Sequence, residues 1–576
     1  MRSLYVYPAR AMWPSMLPTV AVNRALMAPE KHENINGWKI SRYRFFFIVF
    51  LISFLYFWFP NYIFQALSYF SWMTWIKPDN LKLDVLTGSQ SGLGLNPITS
   101  FDFNVMFFNS PLAIPIFTSL LQYLGSIISF FIVLGMWFSN YKWTGYLPIN
   151  SYSLFDNTGA TYNISKVLDG KGTFDSAKFK EYSPTFYSAG LLMNYGATFV
   201  AVPFVVVYVI LTQYKPIYRG LKVIRKVLTE RKGSSFSNFN DPFCRMNSAY
   251  KEAPEWWFLV ILVISIVLAI VCVEIYPTET PVWSIFFSLA FNVVFLIPFL
   301  QVYSSTGAYI SLTVVLELIS GYAIRGNGVA LMIAALFGYS IDEQCQNYLT
   351  NQKIAHYAKI PPRAMFRGQL LTTMINLVVT IAIINWQVDF PEICTSDQKN
   401  NFTCPVAQSQ YNAAISWGVI GPYRVIEHLY PILKWSFLIG FLLAFPAVLF
   451  RRYGPKKITK YFEPNVIISG MAIWAPYNLS YYTPGIYWAI GFMYYLKNYY
   501  TSWWNKYNYI FYSGIQAGIA FSAVIIFFAV QYHDKYISWW GNNVILEGLD
   551  GEGGGPLFYP TKEMDNYFGP RIGEFS

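Results

Sequence analysis

A single carboxyl, Glu317, stands in the run Ser311-Leu-Thr-Val-Val-Leu-Glu-Leu-Ile-Ser-Gly-Tyr-Ala-Ile-Arg325, with apolar residues on both sides. A charge at mid-bilayer costs a few kcal/mol on insertion scales, so such a residue is paired or functional. A carboxyl held there can take up and release a proton near neutrality. Gly321, Tyr322, Gly326, Asn327 and Gly328 follow, so two short apolar halves, 308–324 and 326–341, are expected around a glycine-rich break. Discontinuous helices of this kind build transporter sites, where unwound carbonyls and helix-terminal N–H groups meet a zwitterionic substrate. Arg325, about two helical turns from Glu317, is the alternative partner for the carboxyl. Just upstream, Asn292, Gln301 and Tyr303 add hydrogen-bonding groups along one span, a position where helix–helix contact is the commoner use. Glu317, Tyr322, Arg325, Asn327, Asn292, Gln301 and Tyr303 form the expected substrate and proton path.

Other chemistry is missing from the pattern. His32, His356, His428 and His533 are scattered without ligand spacing, so neither a metal site nor a cofactor is indicated. No Gly-x-x-x-x-Gly-Lys-Ser/Thr loop occurs, which excludes a Walker-type ATPase and leaves secondary, ion-coupled transport. No Cys–His, Ser–His or His-cluster arrangement suggests an enzyme. The stretch Gly551-Glu-Gly-Gly-Gly555 lacks a strand–helix context and reads as flexible linker.

The elements that must position these groups are membrane helices. The 576-residue chain is 55% hydrophobic and 12% charged, about half the charge of a soluble domain. Apolar runs cover 43–59, 111–138, 187–213, 256–275, 281–303, 365–387, 433–450 and 509–531, with weaker ones near 61–77, 308–324, 326–341, 464–480 and 484–500. Runs of about 20 residues demand helices, which alone satisfy every backbone group in lipid. Continuous rather than alternating apolarity excludes a β-barrel. The fold expected is all-α: a polytopic integral membrane bundle with broken or re-entrant helices.

Net charge of +11 does not imply a nucleic-acid partner, because Lys and Arg cluster beside the spans. Nine of them lie between Tyr214 and Lys251, which places a basic loop, 214–253, on the cytoplasmic side. In it Leu221, Ile224 and Leu228 stripe a basic helix suited to the inner leaflet or to a solvated connector. The remaining divisions are a basic N-terminal segment 1–42, a first bundle 43–213 with exofacial loop 140–186, a second bundle 254–531 with exofacial loop 388–430, and a polar tail 532–576. Sequons at Asn163 and Asn401 and the cysteines Cys394 and Cys404 fall in the exofacial loops, where glycosylation and a disulfide are expected. A third sequon at Asn478 lies in an apolar stretch and is expected to stay unmodified.

The segment His356-Tyr357-Ala358-Lys359-Ile360-Pro361-Pro362-Arg363, followed by Met365-Phe366, carries a resemblance. Its prolines stop any helix from running through, and its cations suit an inner interface. It is similar to a motif of the peptide-transporting branch of the oligopeptide transporter family. Further blocks resemble that family in order, among them Ser91-Gly-Leu-Gly94, Ser110-Pro-Leu112, Phe155-Asp-Asn-Thr-Gly159, Tyr250-Lys-Glu-Ala-Pro254, Trp417-Gly-Val-Ile-Gly-Pro422 and Trp503-Trp504-Asn-Lys-Tyr-Asn508. The resemblance implies a proton-coupled importer of small peptides, glutathione-like peptides included, working in a lipid bilayer of the plasma membrane or an endomembrane. The family's opening Asn/Ser-Pro-Tyr and Asp-Asp-Pro motifs are absent, so its N-terminal region is expected to be missing here. The family's Pro-Gly-basic-Pro after Glu317 is replaced by Arg325-Gly-Asn-Gly328. Shortening and divergence leave a transport-inactive member with a structural or sensor role as one alternative, and the related metal-chelate branch is another, over which the Lys359–Arg363 motif favours the peptide branch.

Overall fold

The computed structural model describes residues 2–27, 34–230, 236, 239, 241–390, 393, 405–533, 535–562 and 565–575; at 223–230, 339, 405 and 406 it describes backbone only. Among them the chain is helical, and its only β pairing is a few isolated bridges. Twelve helices matter here: α1 Arg42–Tyr56, α2 Ile116–Phe138, α3 Ala189–Glu230, α4 Glu255–Ile275, α5 Trp283–Thr306, α6 Thr313–Ala323, α7 Gly328–Ala358, α8 Pro362–Val388, α9 Ile432–Tyr453, α10 Pro464–Met471, α11 Leu479–Trp488 and α12 Thr501–Ala529. Eight helical stretches, built on α1–α5, α8, α9 and α12, are long and apolar enough to cross a membrane. The protein is a multi-pass helical membrane protein.

Local sequence sets the helix ends. Ser41 Oγ accepts the Arg44 N–H at 3.3 Å and caps α1. Asn327 Oδ1 accepts the Ala330 N–H at 3.0 Å and caps α7. Lys359 closes α7 in the left-handed region, φ 59°, and Pro361-Pro362 open α8, the stop that two prolines require. α3 runs on to Glu230 past a kink at Gln213, so the basic helix expected over Leu221–Leu228 is the continuation of a span.

Burial divides the helices. Of the most apolar 18-residue window, none is buried in α8 and 6% in α4, against 56% in α3 and α5. α4 and α8 are exposed along nearly their whole apolar length, and α3 and α5 are the most buried of the long apolar helices. α1 lies along α12, with Ser53 Oγ donating to Ile515 O and Ser522 Oγ to Phe54 O. α2 crosses α10 at a glycine pair. A Cβ on Gly125 would stand 1.9 Å from Ile467 O, and one on Gly470 2.0 Å from Gln122 O, so only glycine permits this contact.

Three expectations change. Residues 61–77 do not form a span but a π-helical turn, a 3₁₀ turn and the short helix Trp72–Ile76, because Pro60 interrupts the ladder and Phe64 leaves helical geometry. Much of the expected loop 388–430 is core: residues 414–419 and 423–429 make two π-helical turns that bury Ile415, Trp417, Val425 and Ile426. The tail is no free linker. Asp550 is buried in the turn Gly548–Gly551, Leu557 and Phe558 N–H bond Gly145 O, and Phe568 stacks on Tyr146. Gly553 and Gly554 take φ of 94° and 81°, so these glycines provide turns rather than slack.

Candidate functional site

Three helix interruptions meet in the interior. They are 107–115 before α2, 307–312 between α5 and α6, and 472–478 between α10 and α11. Around them lies a cavity of 470 Å³, walled on a fourth side by α3. Each interruption has a local cause. Gly307 ends α5 at φ 78°, and Ser311 Oγ accepts the Thr313 N–H at 3.2 Å to start α6. Asn194 Nδ2 donates to Trp474 O at 2.7 Å and pins the third break to α3.

The described wall mixes polar groups with apolar ones such as Phe108, Ile114 and Ile310 and carries no charge. Asn109, Ser110 and Gln122 come from the first break and α2, Asn194 and Thr198 from α3, Tyr303 from the end of α5, and Tyr309 and Ser311 from the second break. Tyr477 comes from the third break, and Ser469 and Tyr482 from α10 and α11 on either side of it. Asn109 Nδ2 donates to Gln122 Oε1 at 3.1 Å, Tyr512 OH to Ser110 Oγ at 3.0 Å, and Tyr303 OH lies 3.5 Å from Ser15 Oγ. Among the described residues that line it there is no Asp, Glu, Lys, Arg or His. Such a space offers hydrogen bonds to amides and backbone-like groups without favouring either sign of charge. Its volume falls within the roughly 300–1,000 Å³ of small-molecule sites.

Of the expected path, Tyr303 alone lines this cavity. Glu317 is buried one helical turn beyond the lining residue Val314, with Tyr152 and Tyr195 as its electrostatic neighbours. It makes no ion pair with Arg325, whose Nε donates instead to Tyr322 O at 3.2 Å. Asn292 Nδ2 donates to Ser288 O and Gly338 O and fastens α5 to α7. Asn327 caps α7 and donates to Glu279, Gln301 is buried, and Tyr322 is exposed. The break between α6 and α7 exists, but its backbone is occupied. Gly326 N–H donates to Gly418 O, and Gly326 O accepts from Phe174. The open break lies at the opposite end of α6. Gln122 and Asn194, polar residues inside apolar runs, are the signal that could have located the cavity.

His356 is not as isolated as its spacing suggests. Its Nε2 lies 3.8 Å from Cys244 Sγ and 3.7 Å from Asp241 Oδ2, and the three ligand atoms stand within 4.8 Å of one another. Asn247 Nδ2 is 3.2 Å from His356 Nδ1 and also donates to His356 O. Asn247 Nδ2 also donates to Phe243 O at 2.9 Å, and Asp241, Cys244 and His356 together present three potential ligand atoms that the sequence spacing did not reveal. The group acts as a clasp between Pro242–Asn247 and α7. In the adjoining motif, Tyr357 packs edge-on to Phe243, Ile360 N–H bonds Ala355 O, and Arg363 Nε donates to Glu252 O. Asn163 is exposed, and buried Asn478 is out of reach of a glycosylating enzyme. Cys394, Asn401 and Cys404 lie outside the described residues.

The model of the family described as OPT oligopeptide transporter protein matches residues 1–530. Oligopeptide transporter 2 of Saccharomyces cerevisiae is 44% identical over 589 residues, covering 100% of this chain and 66% of that protein. Glutathione transporter 1 of Schizosaccharomyces pombe is 34% identical, covering 95% of this chain and 65% of its own length. Oligopeptide transporter 1 of Arabidopsis thaliana is 31% identical, with shares of 92% and 71%. The chain spans just under two thirds of the first two relatives. On a match that runs through every helix described above, the chain belongs to the OPT oligopeptide transporter family.

Proposed function

We propose that the protein is a secondary active, proton-coupled transporter that imports small oligopeptides, glutathione-like peptides among them. The observation that carries this reading is the partly polar cavity at three helix interruptions, without charge among its described lining residues, sized for a small ligand and bearing groups that pair with amides. Broken helices around a central site are the architecture of secondary transporters. Names of the relatives agree in pointing to peptide cargo. In this reading the basic segments face the cytoplasm and Asn163 faces outward. Glu317, buried beside the cavity without an ion-pair partner among the described residues, is the proton carrier or the partner of a substrate amine.

The test is uptake of a labelled tetrapeptide by cells expressing this chain, with and without a proton ionophore. Ionophore-sensitive uptake is expected. Membrane-inserted protein that moves no peptide would overturn the reading, and uptake that requires a chelated metal would favour chelate transport instead.

A further inference from the structure

Asp550 sits in a part of the chain beyond the family match, yet it is tied to the cavity wall. Its Oδ2 accepts the Ser89 N–H at 3.1 Å, and its Oδ1 accepts Gln90 N–H at 2.9 Å and Ser91 N–H at 3.0 Å. Three successive amides around one carboxylate form a backbone nest, a strong anchor for an anion. The carbonyls of the same loop face the other way. Ser89 O and Gly92 O accept the two N–H groups of Asn478 at 2.9 and 3.0 Å.

Asn478 is fully buried and begins α11, with its Oδ1 accepting the Ser480 N–H at 3.0 Å. Its neighbour Tyr477 lines the cavity. Loop 89–94 fits between these anchors because of its glycines. A Cβ on Gly92 would stand 2.1 Å from Asp84 O, and one on Gly94 2.8 Å from Asn478 Oδ1. The Ser91-Gly-Leu-Gly94 block of the sequence thereby acquires a physical purpose.

The rest of the tail holds this anchor in place. Asn542 Oδ1 accepts the Gln65 N–H, Gln90 Nε2 donates to Ile545 O, Phe568 N–H bonds Asn157 O and Gly573 N–H bonds Lys180 O. The tail therefore crosses from residues 62–92 to the loop 140–186 and is hydrogen-bonded at both ends.

We infer that Asp550 is a positioning residue for the substrate cavity, acting through loop 89–92 and Asn478 to set the place of Tyr477. This rests on the transport reading for its consequence but not for its geometry, and the two are tested apart. The first measurement is the labelling rate of Tyr477→Cys by a thiol reagent, in the full-length protein with Asp550 intact or changed to Ala. Loss of a charge-assisted bond is worth about tenfold, so labelling is expected to change about tenfold. Unchanged labelling overturns the inference whether or not the protein transports.

The second measurement is tetrapeptide uptake per inserted molecule. Asp550→Ala is expected to raise KM about tenfold with the maximal rate little changed, and Asp550→Asn, which retains an acceptor oxygen, to fall between. Combining Asp550→Ala with Asn478→Ala is expected to add little, since both cut one chain of contacts. A loss confined to the amount of inserted protein, with KM unmoved, overturns the positioning role. Altered labelling with no uptake in the unaltered protein upholds the positioning role and refutes the transport reading.

Discussion

Replacing Asn478 with alanine removes a side chain that bonds on every side in a buried place. Nδ2 gives up two carbonyls, and Oδ1 gives up the N–H that caps α11. Oδ1 also loses the Ser480 hydroxyl, and at the membrane-protein average of about 0.6 kcal/mol per side-chain hydrogen bond these four bonds amount to about 2 kcal/mol. The figure rises to about 5 kcal/mol where the two carbonyls are left dry, at about 1–3 kcal/mol each. The expected loss is therefore about 2–5 kcal/mol, a large part of the stability of an ordinary fold. Thermal unfolding of the purified protein in detergent reads it as a midpoint lowered by about 2–4 °C, at about 1 °C per kcal/mol for a chain of this length. Lys457→Ala, at an exposed position, is the control and should not move the midpoint. An Asn478→Ala midpoint equal to that of the unaltered protein would refute the contact chain from tail to α11.

Glu317→Gln keeps the shape of the side chain and removes its titration, so insertion should be normal while the pH dependence of tetrapeptide uptake disappears. Uptake with an unaltered pH profile in that variant would remove Glu317 from proton coupling. Asp84, outside the eight spanning helices, is pushed up to about 7 by burial and then by the facing carboxylate of Asp550. The docked tail binds that proton more tightly than the released tail, so this contribution to docking is full below the usual carboxylate range and is lost as pH rises toward 7. Limited proteolysis should cut the tail faster at about pH 8 than at about pH 5, and Asp84→Asn should erase the difference; equal rates in the unaltered protein would count against the linkage. Gly125→Leu should prevent α2 from meeting α10 and leave no monodisperse protein, whereas Gly135→Leu, with open space at its Cβ, should be tolerated. Equal yields of the two would contradict the glycine crossing.

The spans were legible because lipid requires continuous apolar runs, and the eight strong runs are the eight long helices. The α6–α7 break was legible from Gly326 and Gly328, since few other residues adopt φ of 78°. Its emptiness was not legible, because Gly418 and Phe174, far away in the chain, take up its backbone groups. The cavity joins residues 107–115, 194–201, 307–314 and 469–482, and no local pattern reports that meeting. His356 and Cys244 lie 112 positions apart, so spacing could not show their contact. The tail misled for a different reason: glycine serves slack and tight turns alike, and composition does not distinguish them.

A cavity wall without fixed charge has an electrical consequence. Moving one elementary charge across the membrane potential is worth about 2.3 kcal/mol per 100 mV. A carrier with an acidic or basic pocket offsets part of its cargo's charge, but the described residues of this lining carry none to offer. For a carrier of peptides, the current per transported molecule would then be set by the cargo's own net charge together with its coupled proton. Two peptides of equal length, one with an added lysine and one with an added glutamate, should therefore differ in the voltage that drives them more than in the contacts that hold them.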